Sequence, residues 1–213
     1  FKLYIPDFRA HGKSSWPDPE QELTFLDLLS NDIKEFINRL ELHDAFIVGV
    51  SLGAGVGIRL AGEGIGKAFV LVGMPNSYDT SLACQVVQGF TEEMMEEWDS
   101  SWARAAKNAH SERHGPDHWK KILKLWKKWC CIDGVIPLPH SRCTDIDKPC
   151  LIICGDRDPF FPVEFFLALY RALPESSLAI LPDCGHLVNE EQPDLFNRML
   201  LDFLLARKQD LYS

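Results

Sequence analysis

The chain has 213 residues, of which 46% are hydrophobic, and a formal net charge of −9 at pH 7. That length and apolar content suit one globular domain over 1–213 with a sizeable core. The acidity excludes a general nucleic-acid binder, which needs a basic face against phosphate, and no apolar run approaches the span of a membrane helix.

The first expected element is a strand at about residues 2–6, followed by a loop to Pro19. A helix is predicted over 24–40, because Phe25, Leu28, Leu29, Ile33, Phe36, Ile37 and Leu40 recur at helical spacing. The apolar run at 45–50 predicts a strand, and the Gly/Ala-rich stretch at 52–61 a helix. Residues 67–72 read as another strand. Strand 150–154, helix 162–172, strand 178–181 and helix 193–206 complete the pattern. Strands that are continuous apolar runs and alternate with helices predict an α/β fold, a mostly parallel sheet flanked by helices. Residues 75–145 break the alternation.

Between the 45–50 strand and its helix stands Gly49-Val50-Ser51-Leu52-Gly53. A G-x-S-x-G string in that context is a nucleophile elbow, a sharp turn that lifts the serine hydroxyl clear of the sheet. A side chain at Gly49 or Gly53 is expected to collide with the neighbouring strand or helix. The Leu52 N–H, opening the helix, would face the oxyanion that forms when Ser51 attacks a carbonyl. A serine hydroxyl needs a base, and the base an acid to orient it. With this elbow they follow in the order Asp or Glu, then His. Asp156 and Asp158 both lie in the turn after the 150–154 strand, and His186 lies in the loop after 178–181. These are the carboxyl ends of predicted strands, where an open α/β sheet builds its site.

Four strings, in this order, resemble the α/β-hydrolase superfamily. Asp7-Phe8-Arg9-Ala10-His11-Gly12-Lys13-Ser14 resembles the loop D-x-R-G-x-G-x-S, and the elbow is the second string. Gly155-Asp156-Arg157-Asp158, with Pro159 and Pro162 beyond, resembles the acid loop G-x-x-D. Gly185-His186, with Glu191 and Pro193, resembles the histidine loop G-H-x-x-x-x-E-x-P. The resemblance spans nearly the whole chain. It implies Ser51 as nucleophile, His186 as general base and Asp158 as orienting acid, three residues beyond Gly155. Asp156 is then a solvent-facing charge that pairs with Arg157. It also implies that 75–145 is a helical cap.

Two departures accompany the matches. Ala10 stands where the family usually carries Gly. The family's second oxyanion donor comes from an early loop, often His-Gly, but this chain opens on the segment that resembles the fourth strand, and His11-Gly12 already belongs to the first string. A fragment or processed form of a longer protein is the expectation, favoured by the absent initiator Met, with a natural short form lacking full activity as the alternative.

The expected cap holds Trp98, Trp102, Trp119, Trp126 and Trp129. Trp119, Ile122, Leu123 and Trp126 recur with helical period, while Lys120, Lys121, Lys124, Lys127 and Lys128 fill the other face. A cap helix with solvated lysines is expected ahead of a basic helix lying on an anionic membrane, and its aromatic lining implies an apolar acyl or aryl portion of the substrate. His110, His114 and His118 are spaced by four, but Gly115-Pro116 interrupts the helix between them, so no metal site is expected. Seven unevenly placed cysteines without a C-x-x-C pair favour a reducing compartment and speak against zinc. Two of them, Cys150 and Cys154, are expected in the core, and Cys184 is the one to suspect of lining the site.

Together these readings point to a serine hydrolase cleaving an ester or related acyl bond of a small, partly apolar substrate through an acyl-enzyme. No cofactor, no metal, no nucleic-acid partner and no stable membrane insertion are expected, and the location is expected to be cytoplasmic. The alternatives are a non-catalytic binding or regulatory protein on the hydrolase scaffold and a carbon–carbon bond hydrolase using the same triad.

Overall fold

The computed structural model describes residues 1–15, 25–76, 80–97, 103–104, 107–109, 114–132 and 140–209. Among them the chain runs α1 (Phe25–Arg39), β1 (Phe46–Val50), α2 (Leu52–Gly62), β2 (Ala68–Val72), α3 (Thr80–Gly89), α4 (Glu92–Glu97), α5 (His118–Ile132), α6 (His140–Cys143), β3 (Cys150–Gly155), α7 (Val163–Ala172), β4 (Ser176–Leu181), α8 (Val188–Glu191) and α9 (Pro193–Gln209). The chain divides into two compact units, Phe1–Asp32 with Asp79–Val135, and Ile33–Tyr78 with Ile136–Ser213.

The second unit is built on a wholly parallel sheet in the order β1-β2-β3-β4. Phe46 pairs with Ala68, Phe69 with Cys150, and Cys150 with Ser176. Every residue of β2 and β3 is buried, which is why Ala-Phe-Val-Leu-Val and Cys-Leu-Ile-Ile-Cys-Gly carry no polar alternation. The outer strands are half exposed. Val70, Val72, Leu151, Ile153, Leu181, Val188, Phe196 and Leu204 form one core cluster, so a face of the sheet closes against α8 and α9. The small residues of α2 let that helix lie close on β1 and β2, and Ala54, Gly55, Val56, Gly57, Ile58, Leu60 and Ala61 are all buried. Helix α1 stops where Glu41 turns left-handed at φ 55°, with the Leu42 N–H bonded back to the Ile37 carbonyl at 2.9 Å.

The first unit is helical where it is described beyond the opening loop. Met95, Ala103, Trp119 and Leu123 make its core cluster, against which Phe90 and Met94 pack. The basic face of α5 meets the acidic helix α4: Lys120 pairs with Glu96 at 2.7 Å and Lys124 with Glu92 at 3.3 Å. Three side chains bind the same segment to the opening loop. His118 Nε2–H donates to the Ala10 carbonyl at 3.2 Å, His114 Nε2–H to the Ser14 carbonyl at 3.1 Å, and Trp126 Nε1–H to His11 Nε2 at 3.0 Å. Burial lowers the pKa of both His11 and His118. The His114 and His118 rings stack at 4.2 Å, but no group of ligand-type side chains among the described residues could hold a metal ion. His110, Trp98 and Trp102 lie outside the described residues.

One expected element needs correction. Residues 2–6 do not form a strand. Their apolar residues stay open, Leu3 at 78% and Ile5 at 89% exposure, because a strand is stabilised by a neighbour to bond with and each described pairing joins two of β1 to β4. Ala10, in the place where the family usually carries Gly, is buried at φ 66°, in the left-handed region where a Cβ is strained. Cys84 and Cys131 form a disulfide between α3 and α5. No described helix is long and apolar enough to cross a membrane.

Candidate active site

Parallel strands end on the same edge of a sheet, so the segments following β1, β3 and β4 converge there. Ser51 follows β1 directly. Its backbone stands at φ 51°, ψ −118°, a conformation that L residues rarely hold. Three backbone bonds hold it in this elbow: the Ser51 N–H donates to the Val72 carbonyl at 2.7 Å, and the Ser51 carbonyl accepts the N–H groups of Ala54 at 2.9 Å and Gly55 at 3.2 Å.

Gly49 is required by close approach, since a Cβ there would stand 2.2 Å from the Gly53 carbonyl oxygen. The collision expected at Gly53 does not occur, because nothing lies within 4 Å of a Cβ at that position. Within the elbow string the close approach falls at Gly49 and not at Gly53. Gly49→Ala is therefore expected to cost about 2 kcal/mol or more, as overpacked sites do. Gly53→Ala should be neutral or gain up to about 1 kcal/mol from helix propensity. Urea unfolding of the two variants side by side checks this.

His186 reaches both partners from its loop. Its Nε2 lies 2.9 Å from Ser51 Oγ and its Nδ1 lies 2.8 Å from Asp158 Oδ2. A carboxylate only accepts, so Nδ1 carries the proton and Nε2 is left to accept from the Ser51 hydroxyl. The Asp158 side chain is 1% exposed and that of His186 12%, so water competes little for either bond. The other oxygen of Asp158 accepts the N–H groups of Phe160 at 2.8 Å and Phe161 at 3.2 Å. Those two amides fix the carboxylate plane and leave Oδ2 for the histidine. The Phe160 ring stands edge-on to the imidazole at 4.8 Å.

The loop that carries His186 has no regular structure between β4 and α8, so hydrogen bonds place it. The Gly185 N–H donates to Glu191 Oε2 at 2.8 Å, the Arg157 N–H to the Cys184 carbonyl at 2.9 Å, and the Cys184 N–H to Asp156 Oδ1 at 3.2 Å. Asp156 is thus a fastener of the histidine loop and not a charge paired with Arg157, which pairs with Asp183 instead. Cys184 does not line the site. It is buried in the core cluster, and burial pushes its thiol up to about 11. Cys150 and Cys154 are buried as expected, each pushed up to about 12 by the same cause.

Leu52 is the first residue of α2. Its N–H has no partner within the helix and points out at the helix start, where a developing negative charge is favoured. The amides of Phe160 and Phe161 escaped the sequence reading because a backbone N–H carries no residue signature. The role of Glu191 had a signal, its fixed place in the histidine string.

Residues 1–199 match the model of the alpha/beta hydrolase family. The chain belongs to that family. Among curated relatives of this α/β hydrolase, a 2-hydroxy-6-oxononadienedioate/2-hydroxy-6-oxononatrienedioate hydrolase of Pseudomonas putida is 42% identical over 64 residues. That stretch is 30% of this chain and 22% of the relative's length. A serine hydrolase of Mus musculus is 25% identical over 214 residues, 96% of this chain and 69% of that protein. Among solved structures, a meta-cleavage product hydrolase from Pseudomonas fluorescens superposes with a TM-score of 0.72 at 22% identity, over 94% of this chain and 78% of that one. That likeness carries the fold.

Proposed function

We propose that this α/β hydrolase cleaves an ester or related acyl bond of a small, partly apolar substrate through an acyl-enzyme. The observation that carries the reading is the unbroken chain of contacts from Ser51 Oγ through His186 to Asp158. Ser51 attacks the carbonyl carbon while its proton passes to His186 Nε2. Asp158 holds the imidazole in the tautomer that can accept that proton and stabilises the imidazolium that results. The Leu52 N–H donates to the oxyanion of the tetrahedral intermediate. His186 returns the proton to the leaving oxygen, and water then repeats the sequence on the acyl-serine, restoring Ser51. Residues 75–145 are read as the family's inserted helical cap. The chemistry described calls on no cofactor.

A second reading is carbon–carbon bond hydrolysis on the same triad. The Pseudomonas putida relative favours it, since the substrate in that protein's name carries a 6-oxo group and no ester. One experiment separates the readings. Purified protein is offered p-nitrophenyl butyrate and, separately, a 2-hydroxy-6-oxo-dienoate, with Ser51→Ala as the blank. Turnover of the ester that vanishes in the blank supports the first reading. Serine-dependent cleavage confined to the dienoate transfers the assignment to the second. Neither reaction, with Ser51 also inert to an organophosphorus probe, leaves a binding protein on a hydrolase scaffold.

A further inference from the structure

Gly73, the residue just past β2, bears no reactive group yet touches the catalytic apparatus on both sides. The carbonyl before it, on Val72, accepts the Ser51 N–H at 2.7 Å. Its own N–H stays in register with the sheet, donating to the Ile153 carbonyl at 3.0 Å. Its α-carbon faces His186: a Cβ there would stand 3.1 Å from the His186 carbonyl oxygen, 3.2 Å from Cε1 and 3.4 Å from Nδ1. Gly73 also holds φ 64°.

We propose that Gly73 is a positioning residue that sets the separation of Ser51 and His186, because only a residue without a Cβ leaves the imidazole room to reach both its partners. The inference rests on the triad reading above. Something must give by a few tenths of an ångström if a methyl is added, and neither backbone is free to. Gly73 is tied into the sheet. The histidine loop is pinned by Asp156, Glu191 and the Arg157 amide, and it already lies so close to β3 that a Cβ on Gly155 would sit 2.0 Å from the Cys184 carbonyl oxygen. The displacement therefore falls on the imidazole. Cε1 is the ring atom between Nδ1 and Nε2, so a push there lengthens the bonds to Asp158 and to Ser51 together.

The test uses Gly73→Ala, Gly73→Asn and Gly64→Ala in the full chain. Asn tolerates positive φ, so Gly73→Asn adds the Cβ with little backbone strain and serves if the alanine variant does not fold. Gly64 has φ 74° with open space around it, so Gly64→Ala imposes the strain without touching His186. Each is reacted with a fluorophosphonate and followed by intact mass, which gives both a rate and the final fraction labelled. Turnover of p-nitrophenyl butyrate supplies kcat and KM. Both Gly73 variants should label to the parent's final stoichiometry but about 3- to 10-fold more slowly, since a misplacement of about 1 Å costs roughly 10²-fold and the shift here is a few tenths of that. For the ester, kcat should fall by the same factor with KM within twofold, and Gly64→Ala should match the parent. Parent-rate labelling in the Gly73 variants, whether to full or reduced stoichiometry, overturns the inference and leaves the triad reading standing. A parent protein whose labelling survives Ser51→Ala overturns the triad reading, and this inference falls with it.

Discussion

Ser51→Ala is expected to abolish fluorophosphonate labelling and to lower turnover by about 10⁶-fold, the loss seen when a triad serine is removed. The change deletes one oxygen that lies 2.9 Å from His186 Nε2. It leaves the elbow itself untouched, because the turn is held by backbone bonds to Val72 and Ala54 and not by the hydroxyl. Thermal unfolding of the variant should therefore superpose on that of the parent. Labelling that persists on another serine would show that the nucleophile has been misassigned. His186→Ala should fall to the same level, since serine and base act as one unit and their losses do not add.

Asp158→Asn should lower turnover by about 10⁴-fold, whereas Asp156→Asn should retain most of it. The two carboxylates stand two residues apart and do different things. Asp158 Oδ2 meets His186 Nδ1, while Asp156 Oδ1 receives the Cys184 N–H. An asparagine at 158 still accepts the amides of Phe160 and Phe161 through its oxygen, so its geometry survives. It then offers an NH₂ to Nδ1, which selects the tautomer with the proton on Nε2, and that nitrogen can no longer take the proton from Ser51. An asparagine at 156 keeps an oxygen for Cys184. Steady-state kinetics on the two variants decides it, and the reverse ranking would mean that the orienting carboxylate is Asp156.

Most of the site was legible because its features are local. An elbow needs a glycine under the helix, a serine at the turn and a helix start behind it, all within Gly49–Gly53, and the flanking apolar runs announce the strand and helix. The sheet was legible for a similar reason. Strands buried on both faces have no polar alternation, and β2 and β3 declare themselves by that alone. The expected strand at 2–6 shows the limit of such reasoning. Its composition suits a strand, but a strand exists by pairing, and pairing is decided by what lies beside it.

The disulfide between Cys84 and Cys131 shows the same limit, since residues 47 apart in the chain meet only because α3 and α5 lie side by side. The order of motifs along the chain by itself determined the family and marked Ser51 and His186 as candidate site residues. Those depend on spacing over a few residues, which sequence records directly. Tertiary structure alone decided that Asp156 fastens a loop, that Cys184 belongs to the core, that Gly53 has space around it, and that Gly73 lies against the imidazole. Each of these is a contact across tens of residues or more, made or refused by how the strand ends and their loops converge at one edge of the sheet. No local pattern encodes which atoms approach there.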